Sequence, residues 1–213
     1  MKVAILGGTG KFGKGLALRL AKSNDIIIGS RDRSKAKATA DLYTNICKKH
    51  NSNFSNSIEG EDNVSAAQSA NIVFFCLKLG PALELASSLN LKKQIVVSPI
   101  VNINSQESLH PRLSCAEALA AKLGFRDRVV SALHPIPYKR LADIEKPVNC
   151  DVLVCGDDVR NAMKVCKMIE EIGDVRAFYA GPLKLSIYVE GIAVALVSLA
   201  KQGNIENPTI RIV

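Results

Sequence analysis

The glycine cluster Gly7-Gly8-Thr9-Gly10-Lys11-Phe12-Gly13 follows directly on a short apolar run, Val3-Ala4-Ile5-Leu6. Gly8, Gly10 and Gly13 form G-x-G-x-x-G, and Phe12, Leu16 and Leu20 continue at helical spacing through Lys22. Strand, tight turn and helix in that order restrict the chain to a βαβ beginning. The first glycine of such a motif allows the turn, the second lets a pyrophosphate approach the backbone, and the third lets the helix pack closely. The anion rests on the helix N-terminus, where unpaired N–H groups and the helix dipole favour negative charge. The bare pattern also occurs in glycine-rich turns. Its place between strand and helix marks a dinucleotide site, with Gly8, Thr9, Gly10, Lys11, Phe12 and Gly13 expected to line it.

The next strand, Ile26-Ile27-Ile28-Gly29, ends in Ser30-Arg31-Asp32-Arg33-Ser34-Lys35. A site for NAD usually closes this strand with an Asp or Glu that accepts hydrogen bonds from the adenosine ribose. A hydroxyl and a guanidinium suit a 2′-phosphate instead, because Arg presents a planar fork to its oxygens and also stacks on adenine. Ser30, Arg31 and Lys35, with added charge from Arg33 and a hydroxyl from Thr9, therefore point to NADP. Asp32 argues the other way, although it falls after the expected strand end. The alternative is a solvated, basic helix start.

Apolar runs alternate with helical stretches along the rest of the chain, as a doubly wound, mostly parallel sheet requires. Ser34 to Lys49 reads as a helix, and Asn51 to Asn56 as a polar loop leading towards a short strand. Further strands are expected at Asn71–Leu77, Gln94–Ser98, Arg128–Ala132, Asp151–Gly156 and Arg176–Tyr179. Helices are expected at Pro81–Leu89 and Cys115–Leu123, with a loop between Ser98 and Cys115. The expected fold is a Rossmann-type α/β unit over residues 1–180, with residues 181–213 as a helix and tail belonging to the same compact body, the tail Gly203 to Val213 serving as an arm or active-site edge. Ile192 to Ala200 is apolar on nearly every face, so this helix should be buried on most sides, against the domain and a partner subunit. The alternative is a monomer that encloses it entirely. It reads as too short and too close to charges to span a bilayer.

A length of 213 residues with 47% hydrophobic composition suffices for one sizeable core. The six cysteines are scattered without a C-x-x-C pair, which fits reduced, buried thiols, and the three histidines lack helical metal-ligand spacing. No metal site is expected. A net charge of +8 raises the question of nucleic acid, but the cations are dispersed and few aromatic residues lie between them. Steering of small anions, or a solvated surface, accounts for it better. The opening residues show no signal-peptide pattern, and a cytoplasmic protein is expected.

Ligands of open α/β sheets bind beyond the carboxyl ends of the strands. That rule selects the loops after Leu77, after Ser98-Pro99 and after Ala132, where two prolines stiffen Leu133-His134-Pro135-Ile136-Pro137. His134 is a candidate to donate a hydrogen bond or a proton near neutral pH. The alternative is a histidine that satisfies a loop carbonyl. No nucleophile triad, carboxylate pair or spaced tyrosine-lysine pair accompanies it. A hydride passing directly between stacked cofactor rings needs none of these.

Leu6-Gly7-Gly8-Thr9-Gly10 through Lys14-Gly15-Leu16-Ala17, Gly29-Ser30-Arg31, Val97-Ser98-Pro99, Val130-Ser131-Ala132-Leu133-His134, Val154-Cys155-Gly156-Asp157-Asp158 and Ala180-Gly181-Pro182-Leu183 together resemble the coenzyme F420H2:NADP oxidoreductases over nearly the whole chain. The resemblance implies a homodimer joined largely through C-terminal helices, and reversible hydride transfer between NADP(H) and the deazaflavin of coenzyme F420. By motif, Thr9, Ser30, Arg31 and Lys35 would hold the 2′-phosphate and Gly8 to Phe12 the pyrophosphate. The loop after Leu77 would take the nicotinamide half, and the Ser98-Pro99 and His134 loops the deazaflavin. The chain departs from the family pattern at Lys78-Leu79-Gly80-Pro81, at Asn102 and in the glycine-poor segment Gly203–Pro208. Competing readings are an NADPH-dependent reductase of a flavin, ferric chelate or imine, and a non-enzymatic NADPH-sensing subunit. Neither nucleic acid nor membrane is an expected partner.

Overall fold

A computed structural model describes residues 1–102, 113–203 and 205–213. Its centre is an eight-stranded sheet of β1 (Lys2–Leu6), β2 (Asp25–Ser30), β3 (Ile58–Asp62), β4 (Ile72–Phe75), β5 (Ile95–Ser98), β6 (Val129–Ser131), β7 (Cys150–Gly156) and β8 (Val175–Gly181). The strand order is β3-β2-β1-β4-β5-β6-β7-β8. Every pairing is parallel except β6 with β7. The central strands are apolar throughout because both faces are covered, as parallel sheets demand.

The helices are α1 (Lys11–Leu20), α2 (Arg33–His50), α3 (Asn63–Ser69), α4 (Leu79–Ser88), α5 (Cys115–Leu123), α6 (Tyr138–Ala142), α7 (Val159–Glu170) and α8 (Ser186–Lys201). The expected strands and longer helices are present, and the polar segment after α2 does lead into a strand, β3. Two short helices escape the periodicity argument. α3 has seven residues and starts on Asp62, whose carboxylate accepts from the Val64 and Ser65 N–H groups. α6 has five residues after Pro137, too few for a hydrophobic period to register. The segment read as a loop between β5 and α5 lies, from 103 to 112, outside the described residues.

The strand order reverses between β1 and β4. Two loops meet there, and a Cβ on Gly7 would stand 2.5 Å from the Cys76 carbonyl oxygen. This is the crevice in which open α/β sheets bind ligands. α1 is held to the far half of the sheet by Arg19, which is 2% exposed. Its guanidinium donates to the carbonyls of Leu141 (2.9 Å), Ile172 (3.0 Å), Arg140 (2.9 Å), Asp143 (2.6 Å) and Lys146 (2.8 Å). Gly15 allows the same approach, since a Cβ there would fall 2.6 Å from Leu141.

Within the single chain α8 is covered on part of its surface only. Val189, Glu190 and Ala193 are buried, whereas Tyr188 is 72%, Val194 41% and Leu199 38% exposed. The described residues therefore do not enclose the helix wholly. Leu183–Lys201 is also long and apolar enough, by length and composition alone, to cross a membrane, which corrects the reading that it is too short. Its docking is nonetheless polar and specific. The buried Glu190 carboxylate accepts from the Cys115 and Ala116 N–H groups at 2.8 and 3.1 Å, neutralising the positive end of α5.

Arg19→Met should cost about 3–5 kcal/mol, because it strips several inward-facing carbonyls of their donor. Arg19→Lys should recover little of this, since an ammonium cannot span a five-carbonyl fork. Urea unfolding checks both; a loss below about 1 kcal/mol for Arg19→Met would show that the clamp is dispensable.

Candidate functional site

The turn between β1 and α1 is built by close approaches that only glycine permits. Gly7, at φ 76°, takes the left-handed conformation, and its N–H donates to the Gly29 carbonyl at 3.0 Å. The sequence reading gives this turning role to Gly8, and the structure moves it one residue earlier. Gly8 is instead crowded, for a Cβ would meet the Ile5 oxygen at 2.8 Å and Ile28 Cγ2 at 3.1 Å. At Gly13 a Cβ would meet Gly8 Cα at 2.7 Å, so the third glycine serves close packing as expected. Tyr43 of α2 braces the turn by donating its hydroxyl to the Gly8 carbonyl at 3.0 Å. No sequence signal marks that residue.

Gly10 differs from the others. Its missing Cβ would meet a single neighbouring atom, the Gly7 oxygen at 3.2 Å. It caps α1 without a side-chain hydrogen bond and α1 has no acid in its first turn, so the opening N–H groups are free of any anionic cap. This cradle fits a diphosphate.

At the end of β2, Ser30 is buried and its Oγ accepts from the Asp32 N–H at 3.3 Å, while Arg31 and Lys35 are exposed and Thr9 is half-buried. Asp32 is occupied as the cap of α2. Its carboxylate accepts from the Ser34 N–H at 2.8 Å, the Ser34 hydroxyl at 2.6 Å and the Lys35 N–H at 3.1 Å. These bonds, the Ser34 hydroxyl foremost, hold its carboxyl below the usual range. The acid that argued for NAD is thus explained by helix capping. Arg33, expected to contribute free charge, is paired with Glu61 at 2.8 Å and is withdrawn from that role.

Beside this turn lies an apolar cleft of about 660 Å³. It gathers Gly10, Lys11, Phe12, Gly13, Leu77, Pro99 and His134 from the expected set. Gly8, Thr9, Ser30, Arg31 and Lys35 are outside its lining, and Ser98 is fully buried. The cleft also takes in walls that the motifs do not reveal. α8 contributes Ala193, Leu196, Val197 and Ala200; the following segment contributes Asn207 and Pro208; and Tyr138 faces Lys11, whose Nζ lies 5.3 Å from its ring centre. The apolar faces of α8 and the expectation of the tail Gly203 to Val213 at an active-site edge were the available clues to this wall.

His134 follows Leu133, a buried residue at φ 72°. That left-handed backbone is costly for a leucine and turns the chain sharply off β6. The ring is 8% exposed, Nε2 lies 3.4 Å from Ser131 Oγ, and Nδ1 has no hydrogen-bond partner in the described protein. Burial pushes its pKa down to about 4. His134 is therefore neutral near pH 7, which corrects the expectation that it donates a proton there; donation of a hydrogen bond remains open to it. The thiol of Cys76, beside Leu77 in the lining, is pushed up by burial and stays protonated.

Comparison with known proteins bears directly on this arrangement. Residues 2–102 match the family model described as NADP oxidoreductase, coenzyme F420-dependent. An F420-dependent NADP reductase of Methanocaldococcus jannaschii is 38% identical over 208 residues, covering 93% of this chain and 92% of the relative. That of Methanothermobacter thermautotrophicus is 33% identical over 224 residues, covering 100% and 94%. A crystal structure from Arthrobacter sp. FB24, titled as an F420-dependent NADP-reductase on a provisional basis, superimposes with a TM-score of 0.75 at 20% identity, covering 100% of this chain and 99% of that one.

The depressed pKa of His134 has a thermodynamic signature. Above about pH 6.5 the folded and unfolded chains both carry it neutral; as pH falls towards about 4 the unfolded chain binds a proton that the folded one refuses, so stability is lost over that window. Relative to His134→Asn, the protein should lose about 3 kcal/mol between these limits. A difference that does not vary with pH in paired unfolding curves would mean the ring is charged or solvated in the fold.

Proposed function

The chain belongs to the F420-dependent NADP reductases, and on that premise we propose how its cleft divides between the two substrates of the family. The protein is an NADP oxidoreductase, and its reaction is hydride transfer between NADP(H) and coenzyme F420. We assign the diphosphate of NADP to the backbone from Gly8 to Gly13. The 2′-phosphate falls to Thr9, Ser30, Arg31 and Lys35, and the nicotinamide to the side of Leu77. The deazaflavin takes the remainder, against Ser98-Pro99 and His134.

The observation that carries this reading is the change of character between the two sides of the glycine loop. At one end stand unneutralised N–H groups and two exposed cations; at the other, an apolar slot continues from the same glycine loop. A charged, hydrated nucleotide end and two stacked planar rings need those two environments in that order. Hydride transfer requires the donor and acceptor carbons roughly 3–3.5 Å apart, so positioning and exclusion of water are the protein's main contributions. The apolar lining of the slot suits both. A neutral His134 offers a hydrogen bond to the acceptor ring without adding a charge to the slot.

A homodimer is the favoured assembly, supported by the exposed apolar face of α8 at Tyr188, Val194 and Leu199. Residues 1–180 then serve as the cofactor-binding unit and 181–213 as the part shared between cleft and dimer contact. We place the protein in the cytoplasm, where both reduced cofactors would be met.

Mixing the protein with NADPH and oxidised F420 should bleach the deazaflavin absorbance, with FMN and FAD unreactive; NADPH binding without bleaching would favour another acceptor or a sensor. Arg31→Glu should abolish the preference for NADP over NAD, and an unchanged preference refutes the 2′-phosphate assignment. Gly10→Ala should leave the melting temperature within a few degrees yet weaken NADPH binding by about tenfold, since its Cβ would enter the cradle rather than the core. Equal effects on both would remove Gly10 from the binding surface.

A further inference from the structure

The buried acid of β7 has no place in the reaction described so far. Asp151 is fully buried, and its carboxylate is shared by Arg176, by Arg211 at 3.0 Å and by the Ile212 N–H at 2.6 Å. Its own N–H donates to the Ile210 carbonyl at 2.9 Å. β6 is only three residues long and pairs with β7 at Val130–Gly156 and Ser131–Cys155, so the first half of β7 presents an edge that β6 does not cover. The segment Thr209–Ile212 takes that place. Arg211 adds bonds to Asn149 at 2.7 Å and Asp174 at 3.1 Å.

The other end of this segment is the cleft wall. Asn207, in the left-handed region at φ 49°, turns the chain so that it and Pro208 line the slot, and its carbonyl accepts from Arg140 Nε at 2.9 Å. Asn207 and Pro208 are therefore pinned on one side by α6 and on the other by a lock centred on Asp151. The hydrogen bonds of Arg176 hold the Asp151 carboxyl well below the usual carboxylate range, and those of Ile212 and Arg211 add to it, so the lock stays charged throughout the neutral range.

We propose that Asp151 is a positioning residue for the acceptor end of the cleft, acting through Arg211 and Ile212 to hold Asn207 and Pro208 in its wall. This rests on the assignment of NADP to the glycine loop and of the acceptor to the opposite end. Loosening the lock enlarges and softens one wall of the slot while leaving the glycine loop and β2 untouched. The acceptor should then bind less well, and NADPH should not notice.

The test compares the full chain with Arg211→Ala and Asp151→Asn. Arg211→Ala leaves the buried carboxylate with Arg176, so the fold keeps a paired charge even if Asp151→Asn fails to fold. Amide hydrogen exchange over 205–213 should accelerate by at least about tenfold with the glycine loop unchanged. The KM for F420 should rise about five- to tenfold, with NADPH affinity by fluorescence titration within about twofold of wild type. Accelerated exchange with an unchanged KM for F420 overturns the proposal, as does a parallel loss of NADPH affinity, which would make the lock part of the general scaffold. Unchanged exchange over 205–213 refutes the anchor whatever F420 does. Wild-type protein inactive with F420 refutes the functional reading instead, and the anchor is then judged on the exchange alone.

Discussion

Arg19 sits near the end of the helix whose first turn frames the glycine loop, and its guanidinium reaches main-chain carbonyls spread from Arg140 to Ile172. The cofactor-binding half of the sheet and the wall carrying His134, Pro137 and Tyr138 are far apart in sequence. They are brought together by α1 packing on α6, with Gly15 removing the one Cβ that would hold them apart. A buried cation is expensive, and its cost is met here by bonding each nitrogen of the guanidinium to main-chain carbonyls. Rigidity between the two halves is what a reaction limited by ring-to-ring distance needs.

The other wall is fixed by a charge of the opposite sign. Glu190 places a carboxylate on the first two N–H groups of α5, and Ser186 joins the same corner by donating to the Ser114 hydroxyl at 2.6 Å. Burial raises the Glu190 pKa, and the α5 N–H groups work against that rise. An apolar helix is thereby docked at one orientation by a polar contact, so that Ala193, Leu196 and Val197 face the slot while Tyr188 and Val194 face outward. The hydrophobic effect alone would not choose between those faces.

The parts of this arrangement that were legible in the sequence are those set by local chemistry. Strands covered on both faces read as unbroken apolar runs, and the glycine spacing announces a turn that must approach its neighbours. Ser30-Arg31 at the end of β2 is read from side-chain chemistry, and its place as a 2′-phosphate site belongs to the proposal above. Asp32 could be weighed only after its carboxylate was seen capping α2, because a capping and a ribose-binding acid look alike in one dimension. The left-handed backbone at Leu133, the Tyr43 brace and the Asp151 lock depend on contacts across long sequence separations. The antiparallel turn of β7 beside β6 likewise follows from the connection between them rather than from either strand's composition. For α8 the apolar pattern says that the helix must be covered, and the single chain leaves Tyr188, Val194 and Leu199 of it uncovered.

On the assignment proposed above, the cleft holds two cofactor rings face to face, so that hydrogen moves between them directly and no protein group mediates it. Single-turnover reduction of F420 with NADPH carrying deuterium at the transferred C4 position, followed by NMR of the product, tests this most directly. Direct transfer leaves one deuteron at C5 of the reduced deazaflavin and none in the solvent, with no C5 deuterium when unlabelled NADPH is used in D2O. Loss of the label to water, or its entry from D2O, would contradict direct transfer and point to one of the exchangeable groups of the lining, Lys11, Lys78, Tyr138 or His134, as an intermediary.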